Sequence, residues 1–317
     1  MHDMKVRRRD ILSGVLGGIL ALGAAGPVAA RKAALFDLAG RPLGIQLYMM
    51  GGELASDPQA LFAALAGLGY RRFEGDLAKV GQPQFMAAAQ SHGLSCTSVH
   101  LNPLSLLPEK EAGFAKIVED VAATGVRYAG LPIFPFSPAL LKGNRDPVEV
   151  ALARIAAGMA EDDWKRVADV LNHRGAQLGA AGIRLFYHNH NVEFRPVGRT
   201  TPLDILMRHT NPRLVCFELD VGWAAAAGLD PVAVLRKYPG RFRLMHVKDI
   251  GAGTPANFAF QQVPATVGAG KIDWPRLIPA ARSAGIREFF VEQEPPFSGA
   301  RIDAAAASAR YLLGRAA

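Results

Sequence analysis

The chain has 317 residues, half of them hydrophobic and a fifth charged, and a formal net charge of +8. That length can bury a large core as one α/β barrel, and no Ser-, Gln- or Pro-rich tract divides it into two parts. Beyond the first 30 residues the positive charges are spread along the chain. This excludes the clustered basic stripe of a nucleic-acid-binding protein, while diffuse charge can still help to draw in an anionic substrate.

The N-terminus reads as an address. Residues 5–30, KVRRRDILSGVLGGILALGAAGPVAA, place a basic segment before a stretch without charge from Ile11 to Ala30. Val28-Ala29-Ala30 offers small residues to a signal peptidase, so a signal peptide over 1–30 is expected, cleaved after Ala30. Arg8-Arg9 followed by Ile11-Leu12 resembles the twin-arginine pattern, which implies the twin-arginine export machinery and a periplasmic location. The apolar run is only marginally long enough to span a membrane and ends at a cleavable site, so no stable anchor is expected after cleavage. Residues 31–317 then form the working domain. Its two cysteines, Cys96 and Cys216, lie in apolar strand-like runs and read as buried free thiols.

From residue 43 short apolar runs alternate with helical periodicity. Strands are predicted at 43–49, 71–76, 95–101, 127–134, 183–190, 214–220, 242–249 and 288–294. Helical stretches lie between them, with a final helix near 302–314. Gly69, Gly125, Gly182 and Gly285 stand where helices should end. Asp273 is placed to cap a helix beginning at Trp274-Pro275. Eight strand–helix units favour a parallel sheet closed into a single (β/α)8 barrel, and no GxGxxG follows the first strand to support a dinucleotide fold.

Ionisable residues recur in i, i+2 pairs at four late strand ends: His188/His190, Glu218/Asp220, His246/Lys248 and Glu292/Glu294. Alternate strand residues share a face, so a barrel interior would gather all eight. Glu74 and His100 add to them from earlier strands. Any one of these is commonly structural or solvated. Charges inside a barrel cost several kcal/mol each unless paired or bound to metal, and eight together are hard to explain as packing. The His and carboxylate mixture suits Mn²⁺, Co²⁺, Zn²⁺ or Fe²⁺ better than Mg²⁺.

The blocks GYRRFEGD, TSVHLN, LFYHNHNVEF, CFELDVGWAAAAGLDP, RLMHVKD, VGAGKIDW and FFVEQEP resemble the sugar phosphate isomerase/epimerase superfamily. These are the xylose-isomerase-like barrels, which also include endonuclease IV. The resemblance covers most of residues 43–314. It implies one divalent metal held by residues of strands five to eight, here His188, Asp220, His246 and Glu292, with Glu294 on the same face as the alternative to Glu292. In the related ketose epimerases the fifth-strand position is Glu, so His188 departs from their two-glutamate mechanism.

The chemistry expected is a metal-dependent sugar isomerase or epimerase working through an enediolate on a small, unphosphorylated carbohydrate. The same machinery can serve a lyase or hydratase on a keto-sugar or glycoside derivative. Glu292 or Glu294 is the candidate base, His190 or Glu74 the group that returns a proton, and Lys248 the partner of a substrate oxygen. Glu74, His100, Glu193 and Trp223 are the candidate substrate contacts. A catalytically silent sugar-binding barrel is the alternative of a different class. A multi-zinc nuclease lacks sufficient ligands and a basic stripe. A homodimer is compatible with the resemblance, though nothing marks an interface.

Overall fold

The computed structural model describes residues 34–37, 40–51 and 57–314. The expected leader lies outside the described residues. Eight parallel strands close into one barrel in chain order. They are β1 (Leu43–Gln46), β2 (Tyr70–Asp76), β3 (Ser95–His100), β4 (Tyr128–Leu131), β5 (Arg184–His188), β6 (Val215–Asp220), β7 (Phe242–Val247) and β8 (Glu288–Val291). Each is followed by a helix of the outer ring: α1 (Pro58–Leu68), α2 (Pro83–Ser91), α3 (Glu111–Thr124), α4 (Glu161–Ala180), α5 (Pro202–His209), α6 (Pro231–Lys237), α7 (Trp274–Ser283) and α8 (Arg301–Leu312). An additional helix, Val148–Gly158, precedes α4. Among the described residues no helix is long and apolar enough to cross a membrane.

Local chemistry explains the helix boundaries. The Asp57 side chain accepts from Ala60 N at the start of α1, with Pro58 in the first turn, and the left-handed Gly69 (φ 102) ends it. Asp273 Oδ1 accepts from Arg276 N at 3.1 Å to open α7. An acceptor at the helix start satisfies an otherwise orphaned amide, and glycine adopts positive φ without a Cβ clash.

Several strands stop earlier than the sequence pattern suggests. β5 ends at His188, β7 at Val247 and β8 at Val291, so His190, Lys248, Glu292 and Glu294 lie in the segments that leave the barrel. The ladder persists briefly, since Glu292 N donates to Val247 O. Polar residues extend the apparent alternation, but the chain must turn outward there to reach the next helix.

Within the barrel, Phe186, Cys216, Leu244 and Phe290 form a fully buried plug. Two glycines make room for it. A Cβ on Gly130 would lie 2.2 Å from Phe186 O, and one on Gly44 would lie 2.7 Å from the Phe290 ring. Both cysteines are free thiols, Cys216 buried and Cys96 partly so.

Gly130→Ala is therefore expected to cost about 3 kcal/mol or more through overpacking. Gly67→Ala, on the exposed face of α1 with open space around it, should stabilise by about 0.5–1 kcal/mol. Urea unfolding of both variants checks this; a tolerated Gly130→Ala would mean that the plug is loosely packed.

Candidate active site

The site is the next layer of the same inward-facing rows. Two residues beyond Phe186 comes His188, beyond Cys216 comes Glu218, beyond Leu244 comes His246, and beyond Phe290 comes Glu292. Strand alternation thus stacks ionisable groups on an apolar floor, at the C-terminal ends where barrels carry chemistry.

His246 is the centre. Its Nδ1 lies 2.8 Å from Glu292 Oε2 and 3.6 Å from Asp220 Oδ2. Its Nε2 lies 2.8 Å from Glu74 Oε1 and 3.2 Å from Glu218 Oε2. His188 Nδ1 is 3.2 Å from Glu218 Oε2, and its Nε2 is 3.8 Å from Asp220 Oδ2. His100 Nε2 reaches Glu74 at 3.1 Å and Glu218 at 3.4 Å. Lys248 Nζ sits 2.8 Å from Asp220, 2.8 Å from Glu292 and 2.9 Å from Glu294.

The motifs explain how this geometry is held. In YHNHNVEF, Tyr187 OH donates to Glu193 Oε1 at 2.6 Å and His190 N donates to Glu193 Oε2 at 2.7 Å, folding the chain back after β5. Asn189 exchanges bonds with the Asp220 backbone, tying β5 to β6. Asn191 receives Phe260 N and donates to Asn257, which fixes the segment after β7. In ELDVGW, Asp220 caps a short helix through Trp223 N, and Gly222 leaves space for the Lys248 stem, which a Cβ would meet at 2.7 Å. In HVKD, Asp249 accepts from Gly268 N, Gly270 N, Ile272 N and Trp274 Nε1, gathering the VGAGKIDW loop around one carboxylate.

Charge shapes the protonation states. Burial opposes charge on His246 and His100, but the facing carboxylates prevail. His246 is held well above its ordinary value by Glu218 and Glu292, and His100 is pushed up to about 10 by Glu74 and Glu218. His188 and His190 go the other way. Burial and the neighbouring imidazoles drive His188 well below 6.5, and burial with the Lys248 ammonium takes His190 to about 3. Against the cost of burial, Lys248 and His246 keep Glu292 below the usual carboxylate range. Burial and the Glu292 charge raise Glu294, although Lys248 opposes them.

A cavity of about 750 Å³ opens over this floor. His100, His188, His190, Trp223, His246, Lys248, Glu292 and Glu294 all contribute to its lining. The structure therefore brings together His188, Asp220, His246 and Glu292, with His100 beside them. Two expected substrate contacts, Glu74 and Glu193, do not line the cavity. Glu74 is fully buried and accepts from Gln46 and Ser98 as well as facing the imidazoles, so it positions the floor from outside the cavity lining. Glu193 is fully buried too and is consumed by Tyr187 and the His190 amide. Glu218 takes part more closely than its pairing with Asp220 suggested. Gln46, Ser98 and Phe260 carry no sequence signal beyond lying at a strand end or in a loop.

The donors fit a divalent cation. Ligand atoms of Asp220, His246 and Glu292 lie within 4.8 Å of one another, as do those of His100, His188, Glu218 and His246. Glu218 Oε1 is buried without a hydrogen-bond partner among the described residues. Five carboxyl groups, of Glu74, Glu218, Asp220, Glu292 and Glu294, face the ammonium of Lys248 and the raised imidazoles of His100 and His246. A dication that takes the place of the proton on His246 would offset that excess, since a ligating imidazole is neutral, and mixed imidazole and carboxylate ligands suit Mn²⁺, Co²⁺ or Zn²⁺.

A closed parallel barrel with its ionisable groups at the C-terminal strand ends defines the class of (β/α)8 proteins that work on that face. The chain belongs to the xylose isomerase-like TIM barrels, whose family pattern matches residues 62–313. An inosose dehydratase from Bacillus anthracis is 33% identical over 103 residues, so the match spans 32% of this chain and 34% of that protein. A sugar phosphate isomerase/epimerase from Parabacteroides distasonis has a TM-score of 0.69 at 26% identity, covering 87% of this chain and 94% of that one. The 3-keto-D-glucoside 4-epimerase of E. coli shares the fold, with a TM-score of 0.61 at 16% identity over 85% of this chain and 98% of that one.

Glu193 gives a pH-dependent prediction. Burial lifts its carboxyl from 4.5 to about 7, against the bonds from Tyr187 and His190 N. The native state holds this proton more tightly than the unfolded chain does. Its contribution to stability is fully present below 4.5 and is lost as pH rises towards about 7. Relative to Glu193→Gln, the parent should lose on the order of 3 kcal/mol across that window. Denaturant unfolding at a series of pH values measures the gap, and a gap that is constant with pH would refute the assignment.

Proposed function

We propose that the chain is a metal-dependent enzyme that enolises a keto-sugar or keto-cyclitol and completes the reaction by losing water or by returning the proton. The observation that carries this reading is the clustering of His188, His246, Glu292, Lys248 and Glu294 in the wall of one cavity, with Asp220 buried directly against them. A divalent ion held by the first four would supply Lewis-acid polarisation of the substrate carbonyl.

The protein's own groups have distinct tasks. Glu292 is engaged by His246 and Lys248, so Glu294 is the carboxylate left to take the proton from the carbon beside the carbonyl. Lys248, 2.9 Å from Glu294, is placed to stabilise the enediolate oxygen. The His190 imidazole is neutral and therefore a poor proton store, and Glu74 lies beneath the floor. The other carboxylates among the described lining residues, Asp76 and Glu149, are exposed at the rim. A single deep base favours β-elimination of water, or proton return to the same face, over the exchange of protons between two glutamates. The inosose dehydratase relatives support the elimination arm, and the epimerases of like fold support the other.

The test is exchange in deuterated water with added Mn²⁺ or Co²⁺, using an inosose and a 3-keto-D-glucoside. Deuterium beside the carbonyl, or loss of water, is expected, and Glu294→Gln should slow it by roughly 10²–10⁴-fold. A parent that binds these sugars without exchange or elimination would be the silent binding barrel.

The leader is part of the same proposal. Export to the periplasm is argued from the N-terminal pattern, and it favours an unphosphorylated substrate because phosphorylated sugars are mostly cytoplasmic. The mature protein recovered from the host should begin at Arg31 by mass spectrometry. An uncleaved cell-associated chain would contradict export.

A further inference from the structure

The loop that follows β7 supplies part of the wall of the active-site cavity through Phe260, Gln261 and Gln262. It is tightly wound. At its base Asp249–Ile250 pairs antiparallel with Pro264–Ala265. Gly251 N donates to Val263 O at 2.8 Å, and Val263 N donates to Thr254 Oγ1 at 3.0 Å. At its tip Asn257 Oδ1 accepts from Ala259 N and Gln261 N, and Asn257 Nδ2 donates to Gln261 O. Asn191 ties this tip to the end of β5 by donating to Asn257 Oδ1 at 2.8 Å and accepting from Phe260 N at 3.1 Å. Phe260 is held at φ 55, the one non-glycine residue with positive φ among the described residues. A bulky residue keeps that conformation only where its surroundings over-determine it, and such positions gather at binding sites. The Phe260 ring packs 4.9 Å from His190 and 6.1 Å from Trp223, centre to centre.

Gln262 stands between residues whose backbones are fixed by these bonds, yet its own carboxamide is unused. Its Nε2 and Oε1 are both shielded from water and have no hydrogen-bond partner among the described residues. Trp223 Nε1 and His190 Nδ1, in the two rings that Phe260 packs against, are likewise covered and unpartnered. A covered amide without partners is costly, and each such group in a native chain calls for a reason. Whichever way round the amide lies, it offers donors at one end and an acceptor at the other. That combination matches two adjacent hydroxyls of a polyol, one accepting and one donating. A side chain with no hydrogen bond to break can turn towards a ligand in the cavity it lines without forfeiting any.

We propose that Gln262 is a specificity-determining residue whose carboxamide binds two adjacent hydroxyls of the substrate ring, on a loop that Asn191, Asn257 and the strained Phe260 hold in place. This rests on the sugar-site reading given above and adds the group that reads hydroxyls beyond the reacting carbonyl.

Gln262→Met keeps the length and bulk of the side chain and removes both polar ends. On the metal-loaded protein its affinity for myo-inositol, an unreactive polyol, should fall on the order of tenfold or more by calorimetry. With an inosose as substrate, KM should rise to the same extent while kcat changes by less than about twofold, as expected for a contact made equally before and during reaction. The melting temperature of the ligand-free protein should hold or rise, because two unpartnered polar atoms are gone. Unchanged affinity and KM overturn the proposal, as does a lowered melting temperature accompanied by an equal loss of kcat, which marks a structural amide. If the parent binds myo-inositol, Gln262→Met weakens it and no keto-sugar is turned over, the proposed reaction fails while the role of Gln262 stands. If the parent binds neither polyol nor inosose, both fail.

Discussion

Four carboxyl groups buried over an apolar plug, with the half-buried Glu294 beside them, must be compensated, and most of the distinctive features of this barrel follow from that need. In a low-dielectric interior an unmatched carboxylate costs several kcal/mol. Here imidazoles and one ammonium are threaded between the acids at 2.8–3.8 Å. Lys248 can reach them only because Gly222 lets its stem pass, and His246 is held on opposite sides by Glu74 and Glu292. Below this layer, Gly44 and Gly130 give the aromatic plug its room. The glycines and the acids are therefore parts of one solution.

The same constraint connects structure to chemistry. On the proposed reading, a cation that balances this cluster is presented to the cavity, and neighbouring groups are left to handle protons. His188, driven neutral by burial and by the imidazoles around it, is in the state required of a ligand nitrogen. On the proposed reading, its presence where the resemblance implies a glutamate leaves one of the two bases of the related epimerases missing. On that reading Glu294 is the half-buried carboxylate outside the metal set, and its 2.9 Å contact with Lys248 couples base and oxyanion partner.

Much of this was legible from the amino-acid order. The alternation of strand and helix signals gave the barrel, and the pairs His188/His190, Glu218/Asp220, His246/Lys248 and Glu292/Glu294 pointed to the strand ends that meet. Asp273 and the glycines after the helices carried their own local chemistry. What stayed illegible depended on depth and on partners far along the chain. Glu74 looks like any strand-end acid until Gln46, Ser98 and two imidazoles close over it. Glu193 looks like a loop residue until Tyr187 claims it from six residues away. Strand ends were overextended because alternation of polar residues continues after the ladder has stopped. Asp249 reads as a third ionisable group in HVKD, whereas it is the anchor of a loop 19 to 25 residues downstream.

The central claim is that the cluster is a cation site, and metal stoichiometry tests it most directly. Protein purified without added metal, and again after dialysis against Mn²⁺, Co²⁺ or Zn²⁺, would be assayed by inductively coupled plasma mass spectrometry beside an Asp220→Ala, His246→Ala variant. The account predicts about one tightly held divalent ion per folded chain, absent from the variant. A folded parent that retains none of these ions at any concentration tried would contradict it, and would leave the buried charges as a purely structural network.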